Sequence, residues 1–321
     1  MQIQEDVVKR ILAGDFRTIA RLLTLVENGT PETAAYLREL FRHTGRCFTV
    51  GITGAPGAGK STLVDRLAEA YRGAGMKVGI IAVDPTSPFT GGAILGDRIR
   101  MQSRSLDGGT FIRSMATRGH IGGLTSTTTD ELTILDAAGF DVVLIETVGV
   151  GQGEVEVSKI ADAVAVLLVP GMGDDVQLMK AGIMEIADLF LINKSDHPGA
   201  DRIESELKAL LSMSTRPDGW TPGIVRTVAS AGTGINECVE ALDLYRAFSK
   251  TSPLRRDQKI DAQKDRLLEL ACRQAREYLL KDGHNAARLH ELAVMLVDRK
   301  TDPFTAAEEI IRLQCRSVHC E

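Results

Sequence analysis

The chain has 321 residues, 44% of them hydrophobic and 25% charged, ordinary values for a folded globular protein that exclude intrinsic disorder. Its formal net charge of −5 is the wrong sign for a protein built to grip nucleic acid. No apolar run approaches the roughly 18 residues of a membrane span, and the length suits one large α/β domain with appendages or two domains. Met1–Arg10 contains Glu5 and Asp6 and no apolar stretch, so neither a signal peptide nor an acid-poor transit peptide is expected there. The five cysteines (Cys47, Cys238, Cys272, Cys315, Cys320) are odd in number and scattered, a pattern that suits reduced thiols and a cytoplasmic location. The 31 glycines are the quantity that asks to be located.

Residues 1–46 read as an N-terminal helical extension. Asp15 is placed as an N-cap, with Phe16, Ile19, Ala20, Leu23 and Val26 following at helical spacing. Asn28-Gly29-Thr30-Pro31 breaks that helix and Glu32–His43 resumes it. Residues 47–249 change character. Apolar, β-branched runs recur at Cys47–Thr53, Val78–Asp84, Thr110–Ser114, Asp141–Glu146, Ala163–Val169, Leu189–Asn193 and Ile224–Val228, separated by stretches of helical length. Such alternation predicts a mainly parallel sheet flanked by helices on both faces, an α/β architecture whose ligands sit at the carboxyl ends of the strands. In residues 250–321 the apolar strands stop. Leu267, Leu268, Ala271 and Ala275, then Leu289, Leu292, Ala293 and Leu296, mark helices, with Gly283 and Pro303 as interruptions. This tail is mixed in charge and suits either packing on a partner subunit or folding back locally.

Gly54–Ser61 reads GAPGAGKS and fits G-x-x-x-x-G-K-[ST] in full, after an apolar strand and before the helical stretch Thr62–Tyr71. Gly54, Gly57 and Gly59 let backbone amides turn inward without a Cβ in the way. The helix N-terminus adds partial positive charge, Lys60 reaches the terminal phosphates, and Ser61 can ligate Mg²⁺. A nucleoside triphosphate site follows, with Gly54, Ala55, Pro56, Gly57, Ala58, Gly59, Lys60, Ser61 and Thr62 as the phosphate-binding run.

That motif does not separate ATP from GTP. The sixth run ends in Asn193-Lys194-Ser195-Asp196, an N-K-x-D tetrapeptide at a strand's carboxyl end. An Asp196 carboxylate can accept from guanine N1–H and the 2-amino group; adenine lacks both donors and would leave it desolvated and unpaired. Lys194 can lie over the base, and Asn193 can brace the loop and reach the purine edge. After the next strand, Ala229, Ser230 and Ala231 are placed to offer backbone amides to guanine O6. The acidic strand Asp141–Glu146 puts Glu146 where P-loop proteins carry their water-shell Mg²⁺ acid. Gly149 can sense the γ-phosphate, and Gly149–Gly153 reads as a mobile switch. Gln152 suits a water-positioning role as well as that of a polar loop residue. Asp84 ends the second strand and can orient the attacking water or a Mg²⁺-bound water. Asp97 suits a metal-linked role or that of a helix-surface acid, and His120 reads as a loop hydrogen-bonder.

Together these segments resemble the MeaB/ArgK family of P-loop GTPases: GAPGAGKST (54–62), VDPTSPFTGGAILGDRIRM (83–101), RGHIGG (118–123), ETVGVGQGEVEV (146–157), VPGMGDDVQLMKAGIMEIAD (169–188) and NKSD (193–196). The resemblance implies a GTP- and Mg²⁺-dependent chaperone that gates adenosylcobalamin loading, and release of the damaged cofactor, for an adenosylcobalamin-dependent acyl-CoA mutase. Such a target is of the methylmalonyl-CoA, isobutyryl-CoA or 2-hydroxyisobutyryl-CoA mutase type. It implies Lys60, Asp84 and Glu146 as the catalytic set, and Ser61, Asp84, Asp97 and Glu146 as the Mg²⁺ shell. It further implies a third switch at Pro170–Lys180, charged at Asp174, Asp175 and Lys180, and a homodimer formed through a C-terminal arm at residues 250–321. Thr86, Phe89 and Arg98 depart slightly from the family pattern. No mutase or cobalamin-binding domain is fused to the chain, so the target is expected to be a separate protein.

Slow intrinsic turnover, stimulated by the partner, is expected because no arginine is clearly placed to neutralise the transition state; Arg98, Arg113 and Arg118 are the candidates. Two other classes fit parts of the pattern. A metal-insertion GTPase of the nickel-enzyme type needs a His/Cys relay, for which only the C-terminal Cys315, His319 and Cys320 offer material. A P-loop kinase would more usually select ATP, against the N-K-x-D loop.

Overall fold

The structure is a computed structural model describing residues 2–84, 108–116, 123–147, 152–171, 183–213, 215–281 and 283–317. Three helices open the chain, α1 (Gln2–Leu12), α2 (Phe16–Glu27) and α3 (Thr33–Leu40). Asp15 caps α2 through its side chain, accepting from the Arg17 amide at 3.0 Å and from the Thr18 hydroxyl at 2.7 Å, which satisfies one of the helix's orphan donors.

Seven parallel strands follow: β1 (Phe48–Gly54), β2 (Val78–Asp84), β3 (Thr110–Ala116), β4 (Val142–Glu146), β5 (Ala163–Leu168), β6 (Leu189–Ile192) and β7 (Gly223–Arg226). All seven expected runs form strands, with ends shifted by a residue or two. They lie in the order β3-β2-β4-β1-β5-β6-β7, so β1 sits mid-sheet between β4 and β5. The register pairs Ile52 with Glu146 and Gly54 with Leu167. This brings the ends of β1, β4 and β5 to one edge, where a parallel sheet presents its ligand site.

Between the strands run α4 (Lys60–Gly73), α5 (Gly123–Ala137), α6 (Gln152–Ile160), the short α7 (Ile183–Ile186) and α8 (Ala200–Met213), and α9 (Ile235–Thr251) follows β7. Alternation along the strands sorts the core. Val50, Ile52, Ile80 and Leu144 face α4 and α9, meeting Leu63, Leu67, Cys238 and Tyr245. Ile81, Val143 and Ile145 face the other way, against α5 and the N-terminal helices through Ile11, Ile19, Leu22 and Leu135. The N-terminal helices therefore share a core with the sheet.

Contacts divide the chain into two compact units, Met1–Lys259 and Ile260–Glu321. The division falls inside α10 (Pro253–Lys281). Within the first unit, the start of α10 is clamped beneath β6. Arg255 meets the Asp188 carboxylate at 2.6 Å, and Arg216 reaches it at 3.1 Å. Burial raises the Asp188 carboxyl above its ordinary value even beside two guanidinium groups. In the second unit α10 is followed by α11 (Gly283–Val297) and α12 (Pro303–Ser317). Asp302 accepts from the Phe304 and Thr305 amides at the start of α12, with Pro303 at the first helical position where its missing N–H costs nothing. A small core of Leu292, Ala306 and Ile310 forms there. Leu267, Leu268, Val297 and Phe304 remain largely exposed.

Candidate functional site

The loop between β1 and α4 is shaped by glycine. Gly54, Gly57 and Gly59 all take positive φ, at 145°, 76° and 94°, values that L side chains rarely adopt. Space reinforces conformation at two of them. A Cβ on Gly54 would stand 2.5 Å from the Leu167 carbonyl oxygen, and one on Gly59 would stand 2.5 Å from Asn193 Nδ2. The loop feeds directly into α4, whose first residue is Lys60, so the helix's free N–H groups converge on the cradle. Lys60 is buried and curls back, donating from Nζ to the Gly54 and Ala55 carbonyls at 2.8 and 3.0 Å. A cation poised over a nest of amides is an anion site in charge and shape.

Beside it, Ser61 Oγ donates to Glu146 Oε1 at 2.6 Å. The first turn of α4 and the end of β4 thus bring together two of the residues expected to hold Mg²⁺. Both offer oxygen, the hard donor this ion takes, and Mg²⁺ is normally held by one or two protein oxygens with the remainder from phosphate and water, so the pair fits it. Thr147, next in the chain, is buried and donates from Oγ1 to Thr53 Oγ1 at 3.2 Å, fixing the exit of β4 against β1. Asp84 ends β2 and lies two residues past Ala82, the register partner of Glu146. Asp97, Gly149, His120, Asp174, Asp175, Lys180, Arg98 and Arg118 lie outside the described residues, as does the side chain of Gln152.

The Asn193–Asp196 loop stands at the end of β6. Asn193 is buried and spans three segments: Nδ2 donates to Ala58 O at 2.8 Å, while Oδ1 accepts from the Ala229 amide at 3.1 Å and from Thr227 Oγ1 at 3.2 Å. Of the two uses expected for Asn193, bracing the loops is the one its hydrogen bonds display. Lys194 sits in the left-handed region at φ 53°, a strained setting for a non-glycine residue, and reaches Gly57 O at 3.1 Å. Asp196 is exposed. Of the three amides after β7, Ala229 donates to Asn193 and Ala231 to Val228 O at 2.9 Å. Arg66, from the second turn of α4, was not singled out in the sequence. Its guanidinium donates to Ala229 O at 3.3 Å and Ser230 O at 3.2 Å. An arginine two turns into a helix carries no motif, and only the tertiary approach of the loop after β7 reveals it.

A family model described as methylmalonyl Co-A mutase-associated GTPase MeaB matches residues 19–286. The chain belongs to the MeaB family of GTPases. A Pyrococcus abyssi protein named as a GTPase is 45% identical over 314 residues, covering 96% of both chains. GTPase ArgK of Escherichia coli is 36% identical over 268 residues, or 80% of this chain and 81% of its own. Among solved structures, a LAO/AO transport system kinase superposes with a TM-score of 0.69 at 24% identity, covering 98% of both chains; it shares the fold. This MeaB-family chain is thus a GTPase that takes guanine nucleotide.

One arginine considered for the hydrolysis site is accounted for elsewhere. Arg113, mid-strand in β3, points onto the N-terminal helices, where its Nη2 meets Glu27 Oε2 at 2.5 Å with both side chains largely buried. The pair ties β3 to α2. Burial pushes the Cys238 thiol up to about 12 and raises that of Cys47 also, so neither is a thiolate near neutrality. Among the described residues no three His, Cys, Asp or Glu side chains converge to hold a metal ion. His319 and Cys320 lie outside the described residues, as does the side chain of Cys315.

Proposed function

We propose that this GTPase is a nucleotide-driven chaperone for a separate adenosylcobalamin-dependent acyl-CoA mutase, gating entry of the cofactor and release of its damaged form. The observation that carries the nucleotide half is the Asn193 brace, which holds the phosphate loop and the base-reading loops at one fixed spacing. The mutase half rests on the family description, which names a methylmalonyl-CoA mutase-associated GTPase. In this reading Gly54–Thr62 envelop the phosphates, and Lys60 leaves the Gly54 and Ala55 carbonyls for the terminal phosphates. Lys194 covers the base, Asp196 takes guanine N1–H and the 2-amino group, and O6 falls to the loop of Ala229, Ser230 and Ala231. Ser61 and Glu146 would hold Mg²⁺, with Asp84 and Asp97 completing its surroundings; bound there, the ion would supply neutralisation of phosphate charge. In this reading basal turnover is slow and the mutase accelerates it; Arg98 and Arg118, two of the arginines proposed to complete the hydrolysis site, lie outside the described residues. The exposed apolar side chains of α10, α11 and α12, Leu267, Leu268, Val297 and Phe304 among them, support pairing with a second copy in a homodimer.

The test is a GTP hydrolysis assay with and without a purified B12-dependent acyl-CoA mutase, paired with co-purification in GDP and in a non-hydrolysable GTP analogue. Nucleotide-dependent association and a rate rise of roughly tenfold or more are expected. Identical rates, with no association in either nucleotide, would sink the chaperone reading while leaving the GTPase intact.

A further inference from the structure

The loop after β7 is closed by its own turn, in which the Gly232 amide donates to Ala229 O at 3.3 Å, and is held from two sides. Asn193 takes the Ala229 amide. Arg66 takes the two carbonyls that follow, with Nε on Ala229 O at 3.3 Å and Nη2 on Ser230 O at 3.2 Å. Its remaining nitrogen is anchored, Nη1 lying 3.0 Å from Glu69 Oε2 one turn further along α4. The guanidinium is thus a planar bridge from the phosphate-loop helix to two successive peptide units.

The consequence follows from peptide geometry. In a trans peptide the N–H points opposite to the C=O, and no cis bond occurs among the described residues. Holding Ala229 O against Arg66 therefore turns the Ser230 N–H away from α4. Ala229 and Ala231 spend their amides on Asn193 and Val228, leaving Ser230 as the member of the three free to meet an external acceptor. A cation on a carbonyl also polarises the amide sharing its peptide bond, strengthening that N–H as a donor.

We infer that Arg66 is a specificity-positioning residue: it aims and strengthens the Ser230 amide as the donor to the purine 6-oxo group, and so favours a 6-oxopurine over a 6-aminopurine. This rests on the guanine-site reading above and adds a residue to it. The chemistry separates it from Asp196, which reads N1–H and the 2-amino group. Guanine and hypoxanthine share the 6-oxo group but differ at the 2-amino group. Loss of Arg66 should therefore weaken GDP and IDP alike, whereas Asp196→Asn should narrow the gap between them.

The experiment measures affinities of the full chain for GDP, IDP, ADP and inorganic tripolyphosphate in wild type, Arg66→Ala and Arg66→Lys. For Arg66→Ala the expected result is about 5- to 20-fold weaker GDP and IDP, an unchanged GDP:IDP ratio, and tripolyphosphate and ADP binding within about twofold. Lysine should not rescue, since one ammonium on a flexible stem cannot hold two carbonyls in the guanidinium's fixed fork. Unchanged GDP affinity in Arg66→Ala, or an equal loss for tripolyphosphate, would overturn the inference. Wild-type protein that binds ADP as tightly as GDP would instead overturn the guanine reading beneath it. Should the alanine variant not fold, Arg66→Gln keeps the side-chain stem and one donor, and the same nucleotide ratios decide.

Discussion

Replacing Asn193 by alanine removes the contact on which the nucleotide site's spacing depends. The side chain is 2% exposed and makes hydrogen bonds to Ala58 O at 2.8 Å, Ala229 N at 3.1 Å and Thr227 Oγ1 at 3.2 Å. A protein hydrogen bond contributes about 1 kcal/mol net, and a buried backbone group left without its partner costs about 1–3 kcal/mol. Ala58 and Ala229 are themselves buried, so water cannot readily replace the lost partner. The sum is a destabilisation of about 3 kcal/mol, or a fall in Tm of about 6–12 °C for a body of this size. GDP affinity should fall with it, because the phosphate and base loops lose their tie. Asn193→Asp refines the test. Aspartate keeps the acceptor for Ala229 and Thr227 but sets an oxygen against the Ala58 carbonyl, so it should be as damaging as alanine. Calorimetry with a GDP titration on both variants is the assay. A loss below about 0.5 kcal/mol with unchanged GDP affinity, or a well-tolerated aspartate, would refute the reasoning.

Four further substitutions have expected outcomes. Gly54→Ala sets a Cβ 2.5 Å from the Leu167 carbonyl at a φ of 145° and should cost more than about 2 kcal/mol in urea denaturation. Gly73→Ala, with nothing within 4 Å at the end of α4, should be neutral or stabilise by up to about 1 kcal/mol. Arg113→Ala strips Glu27 of its largely buried partner and should destabilise by about 3 kcal/mol without changing the single-turnover hydrolysis rate; a rate loss would return Arg113 to the hydrolysis site. Glu131 is fully buried on α5, its two oxygens make no hydrogen bond among the described residues, and burial raises its carboxyl well above the ordinary value. The folded state therefore holds this proton more tightly than the unfolded chain. The resulting stabilisation is complete below the unfolded carboxyl range and is lost as pH rises through the folded value. Glu131→Gln should raise Tm relative to wild type near about pH 8 and lose that advantage towards about pH 4, as thermal melts across that range would register.

The division of labour between sequence and fold runs along particular residues. Runs such as Val142–Glu146 and Leu189–Ile192 were legible because a parallel strand buried on both faces needs continuous apolar residues and stops where polar ones begin. The phosphate loop was legible because close backbone approach demands glycine at fixed offsets, a constraint that survives in one dimension. Asp15 capped α2 as expected, since capping is settled within four residues. Arg113 was the opposite case: an arginine shows no direction until β3 is paired with β2 and the N-terminal helices cover one face. Arg66 and the three-way brace of Asn193 belong to the same class, joining segments 163 and 135 residues apart in the chain. Local chemistry is written where short-range geometry forces a residue type. The partner of a long charged or amide side chain is chosen by which strands the sheet places side by side, and that was decided only when the order β4-β1-β5-β6-β7 brought the loops after β1, β6 and β7 together.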